Sequence, residues 1–374
     1  MAALKSALDG SGPALLPLPR QPQETQRITA ALLPDDPAHP LEHDDIALVV
    51  PTSGSTGEPR GALLTADNLT SSAAATHERL GGPGRWLLAL PLTHIAGIQV
   101  LVRSIGAGTT PQIQDITQGF RVEDFIHATD AMRENATSEP RYTALVPTQL
   151  ARLLGGGATE ALTAYDGVLI GAAATPPGLL NRARDHGIAI VTTYGMTETS
   201  GGCVYDGSPL ANVDVATTED NQVRIRGPIV FAGYRLRPHL TAAALQDGWY
   251  LTDDLGRIAP DGTLDVLGRA DDVIVTGGVN VSPGEVVAAL RRHPGVSDAD
   301  VHGRADPTWG QRVVAVIVPT DRDNPPTLRE LRHLIGDQLG GAAAPRAMAI
   351  VSALPLLING KTDRAAVRQL SVTP

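Results

Sequence analysis

The run Thr52-Ser53-Gly54-Ser55-Thr56-Gly57-Glu58-Pro59-Arg60-Gly61 is built from small and hydroxylated residues. Glycines leave backbone N–H groups uncovered and the hydroxyls add donors, so a closed loop of this kind converges on phosphate oxygens. Arg60 adds a charge that can grip an oxyanion. No Gly-Lys-Ser/Thr sequence ends the run, so it is not a Walker A loop. A polar surface loop has the same composition, and on this stretch alone that reading stands beside the first. Further along, Tyr194-Gly195-Met196-Thr197-Glu198 offers a flat aromatic face and a hard oxygen ligand suited to Mg²⁺. A strand-end turn with a solvated glutamate is its alternative. His94 lies just past the apolar run 86–92, where a strand or loop end would point into a cleft, and the other histidines show no metal-ligand spacing. Gly277-Gly278 permits close backbone approach to a ligand or forms a simple β-turn. Lys361, in a polar loop after a glycine, is by itself an ordinary surface lysine.

These groups need elements to hold them. Strand-like runs at 46–50, 86–89, 144–146, 167–171 and 188–192 alternate with helical stretches at 66–80, 149–154 and 179–186. Such alternation predicts an α/β layer architecture with a largely parallel sheet. Residues 1–45, rich in Pro, Asp and Gly, read as a loosely ordered entry with one short helix at 24–33. After Asn212 shorter strands with turns (222–226, 256–259, 264–267) indicate a small antiparallel unit. Beyond Gly268 the order is strand 273–275, helix 283–292, strands 298–302 and 312–318, helix 328–339, strand 348–351 and a short helix after Asn359. Leu328, Leu331 and Ile335 recur at helical spacing, so this stretch has a core of its own. The expected division is a large N-terminal domain at 1–267, abbreviated at its start, and a small α+β domain at 268–374.

Composition narrows the function classes. Hydrophobic residues make up 42% of the 374, enough for a sizeable core. A formal charge of −10 argues against bulk binding of nucleic acid, and aromatics at 3% argue against base-stacking platforms. Cys203 is the only cysteine, which excludes an internal disulfide and a Cys-rich zinc site. Nothing around it suggests an activated nucleophile, and it reads as pocket lining. The amino terminus makes a poor signal peptide, and no apolar stretch reaches the ~20 residues that span a bilayer. The expectation is a cytoplasmic protein without membrane insertion.

The string TSGSTGEPRG resembles the phosphate loop of the ANL adenylate-forming superfamily, which includes acyl- and aryl-CoA ligases. Further motifs follow in family order: Pro91-Leu92-Thr93-His94, Gly171-Ala172-Ala173, Tyr194-Gly195-Met196-Thr197-Glu198-Thr199, Tyr250-Leu251-Thr252-Asp253-Asp254, Gly268-Arg269-Ala270-Asp271-Asp272, and Asn359-Gly360-Lys361-Thr362-Asp363-Arg364. The resemblance implies an ATP site made of Thr52, Ser53, Gly54, Ser55, Thr56, Gly57, Arg60, Gly171, Ala172, Ala173, Tyr194, Gly195, Met196, Thr197, Asp254 and Arg269. In that site Tyr194 faces adenine, while Asp254 and Arg269 hold the ribose. It implies catalytic roles for Lys361, Glu198 and the gating His94, and metal ligation by Glu198 and Thr56. His94, Gly195, Ser200, Gly201 and Gly202 would line the acyl pocket. Asp271 would be the hinge, and Gly277 and Gly278 would face the pantetheine of coenzyme A.

The chain departs from the family pattern where Arg60 replaces a lysine, where Asp253 replaces a glycine, and where the phosphate loop begins as early as residue 52. The early loop and the stretch YGMTETSGGCVYDG are similar to the short actinobacterial o-succinylbenzoate–CoA ligases of menaquinone biosynthesis. The implied reaction adenylates an aromatic acid with ATP and Mg²⁺, then passes the acyl group to coenzyme A. Alternatives are an activator of another acid or of a carrier protein, and a non-catalytic AMP-binding protein. Arg103 is the nearest cationic candidate for a distal substrate carboxylate, although a solvated surface arginine is the plainer reading. A homodimer is left open.

Overall fold

The computed structural model describes residues 1–53, 58–134, 138–356 and 362–370, with the backbone only at Ser53. Its largest element is a seven-stranded sheet. The order across it is Gln112–Ile113, Arg85–Leu88, Arg141–Leu145, Gly167–Ile170, Ile190–Met196, Gly201–Tyr205 and Ser208–Pro209. The first five run parallel and the last two antiparallel. Successive residues alternate between its faces: Trp86 and Leu88 enter one core, Leu87 and Ala89 the other. Helix Ile95–Gly106 covers the first face through Ile98 and Val102. Helices Val122–Glu134, Pro147–Gly155 and Pro177–Asp185 cover the second through Phe125, Met132, Leu153 and Ala183. A sheet covered on both sides explains why its strands read as continuous apolar runs.

Three smaller sheets complete the chain. Strands Ile46–Ser53 and Pro59–Thr65 form an antiparallel hairpin, extended by Gly233–Tyr234. The described ends of the candidate phosphate loop, Thr52–Ser53 and Pro59–Gly61, therefore lie on these two paired strands. Pro59–Thr65 intervenes between it and helix Ala66–Arg79, a strand absent from the sequence reading. Strand Trp249–Ile258 pairs with Gln222–Arg226 on one side and Leu264–Arg269 on the other. The fourth sheet contains Ile274–Thr276, Val279–Val281, Val296–Asp306, Gly310–Pro319 and Ala347–Ile350. It has a core of its own with Val286, Leu290, Val313, Ile317, Leu331 and Ile335. Helix Leu328–Leu339 falls where its spacing predicts, with a capping box between Thr327 and Glu330.

The amino-terminal segment is more ordered than its composition suggests. Helices Ala2–Leu8 and Pro22–Leu32 bury Leu4, Ala7, Ile28 and Leu32. The Pro/Asp-rich stretch after them is gathered by Arg235, whose side chain is 3% exposed. Arg235 Nε donates to Leu32 O at 2.7 Å, Nη2 to Leu33 O at 3.1 Å and His39 O at 2.5 Å, and Nη1 to Pro40 O at 2.9 Å and Glu42 Oε2 at 3.2 Å. One guanidinium thus satisfies backbone carbonyls that the loop cannot satisfy itself. Its partners lie about two hundred residues away in the chain, so local composition carries no trace of the pairing.

Candidate active site

Residues from six separate stretches meet near the carboxyl ends of the parallel strands. Gly171-Ala172-Ala173 follows strand Gly167–Ile170, with Ala172 and Ala173 exposed and Ala172 at φ 67°. A Cβ on Gly171 would sit 2.2 Å from Thr193 Oγ1, so the turn closes against the next strand only as glycine. On that strand, Ile190–Met196, the Tyr194 hydroxyl donates to Asp254 Oδ2 at 2.8 Å. Asp254 is positioned by the buried Thr252, whose hydroxyl accepts from the Asp254 N–H at 3.0 Å and donates to Val223 O at 2.9 Å.

Asp254 pairs in register with Arg269. The Arg269 guanidinium reaches Asp253 at 3.1 Å, Asp271 at 3.1 Å and Asp254 at 3.9 Å. Those carboxylates hold it firmly in the charged form. Burial raises the Asp254 pKa above the usual carboxylate range, while the Tyr194 hydrogen bond and Arg269 pull the other way. The structure therefore brings Asp254 and Arg269 together, with Asp253 and Asp271 around the same arginine.

Glu198 sits in the short 3₁₀ turn Thr197–Thr199 at the end of the strand bearing Tyr194. The Tyr234 hydroxyl donates to Glu198 Oε1 at 2.9 Å, and the Arg60 guanidinium lies 5.9 Å from the Tyr234 ring centroid. Burial raises the pKa of Glu198, and nearby Asp253 adds to the rise. A partly buried carboxylate that carries this cost, with one oxygen tied to a hydroxyl, fits a hard divalent cation shared with phosphates. Among the described residues no group of three or more His, Cys, Asp or Glu side chains could hold a metal without help. Tyr234 escaped the sequence reading because the partner of its hydroxyl is fixed only by tertiary contact.

The predicted acyl-pocket residues divide. Gly195 pairs with Gly202, and Met196 with Gly201. A Cβ on Gly195 would lie 2.1 Å from Gly201 O, so the two strands approach as only glycine allows. Gly201 faces Gln99 and Ile95, at 3.3 and 3.9 Å from a Cβ placed there, which brings it beside the start of the helix that exposed His94 precedes. Ser200 differs from expectation. It is fully buried at φ 53°, and its hydroxyl donates to Ile229 O at 2.9 Å, so it builds the turn rather than an open wall. Cys203 is core rather than pocket lining: it is 0% exposed, and burial pushes its thiol up to about 12. Arg103 is also not a surface residue. It is 3% exposed, its guanidinium lies 4.9 Å from the Trp86 ring, and Nη2 donates to Tyr205 Oη at 3.3 Å.

Thr52 pairs with Arg60 across the hairpin, and Thr197 opens the 3₁₀ turn that holds Glu198, with Met196 as its N-cap. Gly277 and Gly278 form the tip between strands Ile274–Thr276 and Val279–Val281, at φ 59° and 80°. Two successive positive φ values are the primed hairpin turn that glycine serves. The Gly277 N–H donates to Trp309 O at 2.9 Å, and a Cβ there would meet the Trp309 ring at 2.8 Å. Asp271 lies in the 3₁₀ turn Ala270–Asp272. Gly54, Ser55, Thr56, Gly57 and Lys361 lie outside the described residues, as does the side chain of Ser53.

Residues 6–235 match the family model for AMP-binding enzymes, and 285–361 match the model for the AMP-binding enzyme C-terminal domain. The chain is 46% identical over 370 residues to a probable 2-succinylbenzoate–CoA ligase of Mycobacterium tuberculosis, covering 98% of this chain and 94% of that one. Among solved structures it is similar to the o-succinylbenzoate CoA synthetase MenE from Bacillus subtilis in complex with the acyl-adenylate intermediate OSB-AMP. That likeness has a TM-score of 0.74 and 28% identity, over 99% of this chain and 81% of the other. It is also similar to the amide bond synthetase McbA from Marinactinospora thermotolerans, with a TM-score of 0.76 and 27% identity over 96% and 75% of the two chains. With both family models matched in order and a near full-length relative at this identity, the chain belongs to the AMP-binding enzymes.

Proposed function

We propose that this protein is an ATP-dependent ligase that adenylates o-succinylbenzoate and transfers the acyl group to coenzyme A. A substrate carboxylate oxygen attacks the α-phosphorus of ATP, the bond to pyrophosphate breaks, and an acyl-adenylate forms. The thiolate of coenzyme A then attacks the acyl carbon and AMP leaves. The observation that carries the nucleotide half is the Tyr194–Asp254–Arg269 constellation beside Glu198. Near full-length identity to a relative of that name supports the acid.

In this reading Tyr194 lies against adenine, Asp254 accepts from the ribose hydroxyls, and Arg269 donates to the same sugar. Residues 52–57 and Arg60 hold the outer phosphates. Glu198 would hold Mg²⁺, which would supply charge neutralisation at the phosphates when bound. Gly201 leaves room beside the aromatic ring, with His94 at the entrance, while Gly195 and Gly202 let the two strands behind it close. Lys361 counters the charge that crowds as carboxylate meets phosphate. Residues 268–374 rotate about Asp271 to bring Gly277-Gly278 to the pantetheine. Rate acceleration comes from positioning and electrostatic stabilisation, with no covalent enzyme intermediate.

The test is acyl-CoA formation followed by mass spectrometry with o-succinylbenzoate, benzoate and other aromatic acids. Turnover of o-succinylbenzoate far above benzoate is expected. Equal turnover of the two acids overturns the substrate while leaving the reaction class standing.

A further inference from the structure

Helix Arg364–Gln369 begins three residues after Lys361. Two contacts fix its body. Val367 is 0% exposed in an apolar cluster with Val316, Ala349 and Leu354. Arg304 Nη2 donates to Arg368 O at 2.8 Å and to Leu370 O at 2.5 Å, which ties off the helix end. Its start is capped by Asp363, whose Oδ1 accepts from Ala366 N at 3.0 Å, while Asp363 N donates to Pro355 O at 2.8 Å. None of these reaches the turn 270–272.

A third contact does. The Asp272 carboxylate, 16% exposed, pairs with Arg364 and lies 3.6 Å from Arg368 Nη2. Asp272 is the residue after Asp271 in the turn Ala270–Asp272. With Asp300, His302 and Gly303 these three side chains enclose a cavity of about 20 Å³, room for about one water. The carboxylate end is thus shielded, while the Arg364 and Arg368 side chains are 52% and 57% exposed. Two arginines converging on one shielded carboxylate hold geometry better than an isolated exposed pair does.

We propose that Asp272, through Arg364 and Arg368, is a positioning residue for Lys361. It ties the segment that follows the lysine to the turn that follows the hinge, so that lysine and hinge move as one body. This rests on the reading of Lys361 as the adenylation lysine and Asp271 as the hinge. The apolar seat of Val367 and the Arg304 contacts keep the helix folded without the pair, so its loss costs register rather than structure.

The experiment compares Asp272→Asn, Arg364→Gln, the exchanged pair Asp272→Arg with Arg364→Asp, and Lys361→Ala in the full chain. Pyrophosphate release reports adenylation, and thioester formation from supplied o-succinylbenzoyl-AMP and coenzyme A reports the second step. Misplacement by about an ångström costs up to roughly 100-fold. The single variants are expected to lose about 10- to 100-fold in adenylation kcat, with KM for ATP, thioester formation and melting temperature nearly unchanged. The exchanged pair is expected to recover much of the loss, and Arg364→Lys part of it. Parallel loss of both half-reactions with a lowered melting temperature overturns the proposal, as does an exchanged pair no better than the singles. Lys361→Ala separates the two levels. If it abolishes adenylation while Asp272→Asn does not, only the positioning role falls. If Lys361→Ala leaves adenylation intact, the reading beneath it falls as well.

Discussion

Glu198 must hold a charge in a partly buried place and still have an oxygen to give. The Tyr234 hydroxyl meets the first demand by donating to Oε1 at 2.9 Å. A hydrogen bond to a charged group contributes about 1.5–3 kcal/mol, and 1.4 kcal/mol is about tenfold in rate. Tyr234→Phe keeps the ring that meets Phe231 edge-on at 4.8 Å. It should therefore lower adenylation by about tenfold or more and raise the Mg²⁺ requirement, with little change in melting temperature. A Mg²⁺ titration of pyrophosphate release checks this; an unchanged titration contradicts it. Because the Glu198 pKa is raised, protons compete with the cation sooner than at an ordinary glutamate, so the Mg²⁺ requirement should climb as pH falls. The chemical type of Glu198, Asp254 and Arg269 is legible in the chain. Tyr234 and Arg235 are not, because each is defined by a partner far away in sequence. Arg103 misleads for a related reason: Trp86 and Tyr205 shelter its charge where sequence suggests water.

Elements place these groups through close approaches that a side chain would block. Gly195→Ala puts a methyl 2.1 Å from Gly201 O, so the strands must part beside Glu198 and the proposed acyl pocket. Such overpacking costs about 1–3 kcal/mol, so a drop in melting temperature with a larger loss of adenylation is expected. A variant of wild-type stability and rate contradicts the close approach. In the small domain, burial pushes Asp300 up to about 6 and His302 down to about 4. Asp300 binds more protons folded than unfolded between its ordinary value and about 6, so its contribution to stability declines as pH rises through that window. His302 acts oppositely between about 4 and 6.5. Asp300→Asn removes the declining part, so its melting temperature relative to wild type should increase from pH 4 to pH 6. A constant difference contradicts the buried carboxylate. Periodicity located strand Ile46–Ser53 and helix Leu328–Leu339, each with a clear apolar pattern. It passed over Ile95–Gly106, since a helix buried nearly all round has no polar stripe to reveal its period. It also passed over Pro59–Thr65, whose Pro59 and Gly61 hide a strand defined by its pairing with Ile46–Ser53 and Gly233–Tyr234.

At the scale of the whole molecule, the proposed reaction requires one chain to perform two half-reactions with different faces of residues 268–374. Motif order along the chain made the family legible, because the candidate phosphate loop, nucleotide pocket, hinge and terminal lysine loop keep most of their residue types, Arg60 and Asp253 apart. Which residues stand between them does not follow from motifs: the Asp253–Arg269–Asp271 bridge exists only once strands Trp249–Ile258 and Leu264–Arg269 pair. Asp271→Pro fixes φ near −65° and should slow thioester formation more than adenylation; equal loss of both contradicts the hinge.

The most direct measurement is the single-turnover rate of each half-reaction in Lys361→Ala. Two unit charges about 4 Å apart interact by roughly 4 kcal/mol at an effective dielectric near 20. If most of that is gained only in the transition state, its loss costs on the order of 10³ in rate. Adenylation of o-succinylbenzoate should therefore nearly vanish, while supplied o-succinylbenzoyl-AMP and coenzyme A still yield thioester at close to the wild-type rate. Both rates untouched, or both lowered together with the melting temperature, would contradict an adenylating ligase that works by exchanging one face of its small domain for another.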